Sequence, residues 1–280
     1  MDPLYLYGSE ESDNFWLHFR MCTSTAGFSS GNADGYWLHF LSASGQVVAG
    51  VDINDGKIRG EVMGATTAAA ADEIYVPGLS TLDFHVTVGT DITLEIYVNE
   101  ALTSTVTIAN NGKTGVKTVK FVNDDVSSSS SYVSTYTELV ALGGESTLGC
   151  RLAQLTPNAA GDLSEWGGGY AGLLAFGDGN FLATDTAAKR HSWKHTAYGG
   201  STTTPNVRAV ITRSYVRAGD GGPQSYAPFL RIGGVNYDGA TIDANLPIPP
   251  MNVWDLNPST GLAWTVGQLT AIEAGLLSIA

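Results

Sequence analysis

Apolar and polar residues alternate in short runs through the first half of the chain: Phe15 to Met21, Tyr36 to Leu41, Gln46 to Ile53, Lys57 to Met63, Thr81 to Val88, Ile92 to Val98, Ser104 to Ile108, Val116 to Val122 and Tyr132 to Leu142. A period of two puts successive side chains on opposite faces of a strand, and turn-forming groups separate the runs: Ser44-Gly45, Asn54-Asp55-Gly56, Val98-Asn99-Glu100 and Asn110-Asn111-Gly112. Many short strands at close spacing predict a sandwich or barrel. Ala65 to Ala71 and Ser127 to Ser131 lack apolar periodicity and read as loops or insertions. The pattern lapses at Gly143-Gly144-Glu145-Ser146, which places a domain boundary there and divides the chain into 1–145 and 146–280. Strand runs resume at Gly149 to Leu155, Phe181 to Thr184, Lys189 to His195, Asn206 to Arg217, Ala227 to Ile232, Val235 to Tyr237 and Asn252 to Leu256. Near the end Val266, Leu269, Ile272 and Leu276 fall at helical spacing with Gly275 placed as a stop, so the expected fold is all-β, two tandem β-sandwiches with one short C-terminal helix.

Phe15-Trp-Leu-His-Phe19 and Tyr36-Trp-Leu-His-Phe40 are nearly the same pentapeptide. Folding them back about the segment between them predicts adjacent antiparallel strands, with Phe15 opposite Phe40, Leu17 opposite Leu38 and Phe19 opposite Tyr36 on one face. The other face then carries Trp16, His18, Trp37 and His39.

Composition narrows the function classes. The 34 glycines among 280 residues suit a chain that turns often, and a charged fraction of 15% beside 43% hydrophobic residues is globular rather than disordered. A net charge of −13 lacks the clustered cations that displace counterions from a phosphate backbone, so no nucleic-acid partner is expected. No run reaches the roughly 18 apolar residues of a membrane span, and no membrane insertion is expected. The start, Met1-Asp-Pro-Leu-Tyr-Leu-Tyr-Gly8, lacks the basic and apolar regions of a secretory signal, so any extracellular role is expected to follow cell lysis. Cys22 and Cys150 are far apart in sequence and read as two reduced structural thiols.

Particular motifs carry two resemblances. Gly45-Gln-Val-Val-Ala-Gly-Val51, Lys57-Ile-Arg-Gly-Glu-Val62, Leu94-Glu-Ile-Tyr-Val-Asn-Glu100 and Tyr136-Thr-Glu-Leu-Val140 resemble the laminin-G or concanavalin-like jelly roll over residues 1 to 145, with Glu100 where that family has Gly. Leu155-Thr-Pro-Asn-Ala-Ala-Gly-Asp162 with Trp166, Leu230-Arg-Ile-Gly-Gly-Val-Asn-Tyr-Asp-Gly239, Trp254 and Asn257-Pro-Ser-Thr-Gly-Leu-Ala-Trp-Thr265 resemble a C-terminal module of structural proteins of tailed phages and gene-transfer agents. That resemblance implies a place on a virion or phage-like particle as a head spike or tail fibre, contact with other virion proteins, homo-oligomeric assembly and binding of host surface polysaccharide. A purely structural decoration or collar protein is the alternative it leaves open.

Candidate chemistry is sparse. Polysaccharide-cleaving enzymes on a concanavalin-like fold need two carboxylates across the scissile bond. In Glu95-Ile-Tyr-Val-Asn-Glu100 the middle acid is replaced by Tyr97 and Glu100 falls in a turn, so no enzyme and no catalytic residue is expected, with a polysaccharide-degrading enzyme as the remote reading. Gly167-Gly-Gly-Tyr-Ala-Gly172 spells a dinucleotide fingerprint, but no helix follows it and it reads as loop. His191 and His195, four apart on a strand, stand roughly 13 Å apart and cannot share one ion. Asp52, Asn54 and Asp55 offer oxygen ligands for calcium, and equally an ordinary hairpin turn; no other cofactor is expected. Sugars are bound by aromatic faces ringed with polar groups, and the carbohydrate-binding candidates on that ground are Trp193, His195, Tyr198, Tyr226 and Tyr237, with Trp16 and Trp37 of the repeat face. Burial in the core or a subunit interface is the alternative for each.

Overall fold

In a computed structural model, residues 4–23, 35–54, 57–64, 68–76, 78–122, 134–173, 181–199, 207–247 and 250–280 are described. The chain forms two compact units, Met1–Leu152 and Ala153–Ala280, and is nearly all β.

The first unit contains β1 (Leu4–Ser12), β2 (Asn14–Thr23), β3 (Gly35–Leu41), β4 (Val47–Asn54), β5 (Lys57–Met63), β6 (Ala68–Ala70), β7 (Leu79–Val88), β8 (Asp91–Val98), β9 (Ala101–Ala109), β10 (Val116–Phe121) and β11 (Ser134–Gly143). They make two antiparallel sheets, β1-β10-β3-β4-β5-β6 and β11-β2-β7-β8-β9, whose inner faces meet in one core. Leu17, Phe19, Leu38, Phe40, Leu82, Phe84, Leu94 and Val119 are wholly buried there, the alternate positions of their strands that the period-two pattern marks.

The repeat folds differently from expectation. β2 and β3 lie in opposite sheets, β2 pairing β11 and β7 while β3 pairs β10 and β4. The two pentapeptides face each other across the core instead of side by side: Phe15 meets Phe40 edge-on at 6.2 Å and Phe19 meets Trp37 at 5.6 Å. A period-two pattern states which face is buried, but it does not state whether the partner of that face is a neighbour or an opposing layer. A bulge between Tyr36 and Leu38 then turns Trp37 inward beside Leu38, where its indole Nε1 donates to Tyr136 Oη at 2.9 Å. Trp16 and Trp37 therefore share no face.

Two further expectations change. Ala68–Ala70, inside the stretch read as a loop, is edge strand β6 paired to β5 through its backbone, so apolar periodicity had nothing to mark. The boundary falls after Leu152 rather than at 145, because Thr147 is fully buried against the first unit and its Oγ1 donates to Asp83 Oδ1 at 2.6 Å. The Asp55-Gly56 turn, the Ser127–Ser131 run and the side chains of Tyr36 and Asn54 lie outside the described residues.

The second unit contains β12 (Pro157–Ser164), a 3-10 turn (Tyr170–Leu173), β13 (Arg190–His195), β14 (Val210–Thr212), β15 (Ser225–Ile232), β16 (Val235–Asp238), β17 (Ile242–Asp243), β18 (Asn252–Trp254), β19 (Leu256–Asn257), β20 (Leu262–Ala263), α1 (Val266–Leu269) and β21 (Ile272–Ile279). Its main sheet runs β12-β13-β21-β15-β16 with β17 also on β15, and Trp166, Trp193, Tyr226, Leu230, Trp264 and Leu276 form its core with the β14–β18 ribbon packed on it.

Helix α1 is a single turn. Ile272 and Leu276 belong to central strand β21 rather than to it, and Gly275 is no helix stop. A Cβ at Gly275 would lie 2.2 Å from the Phe229 ring and 2.5 Å from the His191 carbonyl oxygen, which is why glycine stands there. A strand buried along most of its length and a helix stripe look alike over so few residues.

The motifs at residues 155–166 and 254–265 hold the second unit together. Glu273 is a buried carboxylate that accepts from Ser192 Oγ at 2.6 Å and from the Asp162 amide at 3.0 Å, and a Cβ at Gly161 would sit 2.2 Å from Ser192 Oγ. Asn257, 1% exposed, accepts from the Ser259 amide at 2.9 Å and starts the turn that ends at Gly261, while Trp264 Nε1 donates to the Trp254 carbonyl at 2.7 Å.

Candidate functional site on the outer face of the second sheet

Across the middle of β2, β7 and β8 the inward residues are apolar and the outward ones, Trp16 apart, are polar. The strand registers arrange the outward side chains in rows: Asn14, Thr87, Thr93 and Thr107; Trp16, His85, Glu95 and Thr105; His18, Asp83 and Tyr97. Directly opposed residues on one face lie close enough to interact, and here they do. The His85 ring is held at both nitrogens, Nδ1 to Glu95 Oε2 at 2.8 Å and Nε2 to Asn14 Oδ1 at 2.8 Å. Tyr97 Oη donates to the same Glu95 oxygen at 3.0 Å. The Trp16 indole stacks on the imidazole at 4.0 Å between centroids and 12° between planes, and the Tyr97 ring meets Trp16 tilted at 5.7 Å. Burial, then the Glu95 carboxylate it donates to, pushes the Tyr97 hydroxyl up to about 12, so it stays a donor.

Next to this clamp the sheet is closed over. His18 Nδ1 and Asp83 Oδ1 are 2.8 Å apart, both side chains are fully buried, and Thr147 caps the same oxygen. Glu95 keeps 27% of its side chain exposed and His85 16%, and Glu95 Oε1 has no partner among the described residues. The open part of the face therefore presents one carboxylate oxygen, an imidazole edge, the Asn14 amide and the hydroxyls of Thr93, Thr105 and Thr107, with Thr93 and Thr107 bonded at 3.0 Å. Polyhydroxylated ligands are recognised by such mixtures of acceptors, donors and flat surfaces.

Trp16 belongs to this site as the layer that supports His85, being only 7% exposed. Trp37 lies in the core. Trp193 is 8% exposed and Tyr226 2%, both in the core of the second unit, where burial raises the Tyr226 hydroxyl and its Oη donates to the Ser214 carbonyl at 3.2 Å. Tyr198 packs against that same core. His195 is half-buried, with burial holding its pKa below the ordinary value, and Tyr237 is half-buried on β16. Three strand spacings, about 14 Å, separate the β13 and β16 backbones that carry His195 and Tyr237. These five are thus not gathered into one site.

Asp52 is turned to Arg59, Oδ2 to Nη2 at 2.5 Å and Oδ1 to Nε at 3.3 Å, and among the described residues no group of three or more His, Cys, Asp or Glu is placed to hold a metal ion. Asp55 lies outside the described residues. Among the described residues no helix is long and apolar enough to cross a membrane.

A β-sandwich with a polar and aromatic outer face defines the first unit. No family model matches the chain and no curated protein matches it. Among solved structures it is similar to a tetrameric galectin from the ball sponge Cinachyrella sp., with a TM-score of 0.32 and 13% identity over 50% of this chain and 99% of that one. It is similar also to sheep galectin-11 in complex with glycerol, with a TM-score of 0.31 and 13% identity over 51% and 98%. A third is the botulinum neurotoxin type G receptor-binding domain, with a TM-score of 0.35 and 10% identity over 91% and 64%.

Proposed function

We propose that this chain is a non-enzymatic glycan-binding protein on the surface of a tailed phage or phage-like particle, and that the outer face of its second sheet receives host surface polysaccharide during adsorption. The observation that carries the binding reading is the clamp in which Asn14, Glu95 and Tyr97 fix the His85 ring over Trp16. A sheet face needs no such pre-organisation for stability alone, whereas a weak ligand gains from groups already held in place. The particle assignment is supported by the Pro157-to-Asp162 and Asn257-to-Thr265 motifs. The non-enzymatic reading is supported by the surroundings of Glu95, which among the described residues has no second accessible acid at the register positions beside it: Asp83 is enclosed and Thr105 stands at the opposite position.

A purely structural role is the second reading. It is favoured by Ile211 and Val253, which oppose each other on the β14–β18 ribbon at 45% and 50% exposure, a pair suited to subunit contact.

The two readings separate in a binding assay of purified protein on host cells, with capsule-less cells as control. Glu95→Gln and His85→Ala are expected to weaken binding about tenfold or more, a hydrogen bond to a charged group being worth roughly 1.5–3 kcal/mol. Binding that needs the capsule but ignores both substitutions would move the site elsewhere, and no binding at all would leave the structural role.

A further inference from the structure

We infer that the same outer face carries a second subsite, built on Arg20, for the carboxylate of an acidic sugar; this rests on the proposed glycan-binding role and narrows the ligand to an acidic polysaccharide. Beyond the row of His18, Asp83 and Tyr97, the next outward row is Arg20, Thr81 and Asn99. A hollow of about 290 Å³ opens there, lined by Arg20, Leu79, Ser80, Thr81, Asn99 and Arg151. Its two ionisable side chains are both arginines, in a chain of 27 Asp and Glu against 14 Lys and Arg.

The hollow is set to donate. Asn99 Oδ1 accepts from the Thr81 amide at 3.0 Å and from Thr81 Oγ1 at 3.3 Å. A backbone amide only donates, so this contact fixes which end of the Asn99 amide is oxygen and leaves Nδ2 with no partner among the described residues. Arg20 uses Nη1 alone, on Glu138 Oε1 at 3.2 Å. Its Nε and Nη2 are unbonded among the described residues, and these two form the edge of the guanidinium that matches both oxygens of a carboxylate. Arg59 shows that mode in this chain, donating from Nε and Nη2 to the two oxygens of Asp52. Arg151 is tied through Nη1 to the Cys150 carbonyl at 2.6 Å and through Nη2 to Glu100 at 2.7 Å, which leaves its Nε. Glu138 and Glu100 do not line the hollow, and each holds its arginine by one nitrogen.

A carboxylate brings acceptors alone, about four lone-pair sites, whereas a neutral hydroxyl also brings a proton that these donors do not answer. Leu79, 63% exposed, adds an apolar wall for the C–H side of a sugar ring. Trp16 and Arg20 are four residues apart on β2, about 13 Å, so one short oligosaccharide reaches both subsites. Thr147 covers Asp83 in the row between, while Tyr97 of that row is only half-buried. The net charge of −13 repels an acidic polymer at a distance, but that field is screened over about 8 Å at physiological ionic strength, so the contact at the hollow decides.

The test adds sodium glucuronate to the full chain while the arginine Nε–H and asparagine side-chain NMR signals are followed, with glucose and sodium chloride of equal ionic strength as controls. Glucuronate is expected to move Arg20, Asn99 and Arg151, and glucose to leave them in place. Arg20→Gln is expected to weaken glucuronate about tenfold, as loss of a charge-assisted hydrogen bond does, and Arg20→Lys, with the charge but no fork, to restore little of it. Both arginine side chains are near half-exposed, 43% and 46%, so an unchanged circular-dichroism spectrum is expected for Arg20→Gln and for Arg151→Gln. Shifts that either control reproduces, or glucuronate binding that survives both substitutions together, would overturn the subsite. Capsule binding indifferent to Arg20→Gln would keep the adsorption reading and overturn the narrowing to an acidic ligand. Glucuronate held at Arg20 by a chain that ignores the capsule would uphold the subsite and overturn the adsorption reading instead.

Discussion

Glu95 is asked to do two things with one oxygen. Oε2 takes both the His85 and Tyr97 contacts, which leaves Oε1 for a ligand. Tyr97→Phe removes one of those contacts without emptying the space and acts on the ligand only through Glu95, so ligand affinity is expected to fall by less than for Glu95→Gln, about three- to tenfold by titration calorimetry, roughly 0.5–1.5 kcal/mol. Asp83 is the contrasting acid, enclosed with His18 and Thr147. Asp83→Ala strands a buried partner and is expected to cost about 3–5 kcal/mol in a denaturant titration. Much of this was available in the residues: the chain turns tightly at Gly89-Thr90-Asp91, and counting outward from Thr90 sets His85 opposite Glu95 and Asp83 opposite Tyr97. What pattern alone could not give was β2 as the third strand, since Asn14 and Trp16 join the row through a pairing distant in sequence. An aromatic inventory pointed instead to Trp193 and Tyr226, whose bulk serves the core.

Among the elements, strands whose inner positions are apolar and outer positions polar were legible almost to their ends, as Lys57–Met63 shows. Those held by backbone alone, such as Ala68–Ala70, were not. Two elements carry their own tests. The β8–β9 turn holds Asn99 at φ 51° and Glu100 at φ 70°, as a tight hairpin turn demands, but with glutamate where glycine is at ease. Glu100→Gly is expected to raise stability by about 0.5–1 kcal/mol, even though it removes an exposed contact to Arg151, because the left-handed conformation costs a side chain roughly 1–2 kcal/mol. In β12, Gly161→Ala pushes a methyl into Ser192 and Glu273 and is expected to lower the unfolding midpoint, by about 1–3 kcal/mol in stability.

At the scale of the molecule, its response to acid follows from the second unit. Burial holds His191 and His195 below their ordinary value of 6.5, so the folded chain binds their protons less readily than the unfolded chain. That stability is present above 6.5 and is lost as the pH falls toward the folded values, so the melting temperature is expected to drop between about pH 7 and about pH 5, and less so in His195→Gln. The net charge of −13 adds repulsion between copies and toward anionic surfaces, so adsorption through this chain is expected to tolerate salt rather than depend on its absence. The proposed role in adsorption rests on the outer face of the β11-β2-β7-β8-β9 sheet being where a glycan binds. The direct measurement is a two-dimensional NMR titration of the chain with oligosaccharide from the host capsule. Shifts concentrated at Asn14, Trp16, His85, Glu95, Tyr97 and the neighbouring threonines are predicted. Shifts that spare that face, or gather on the second unit, would contradict it.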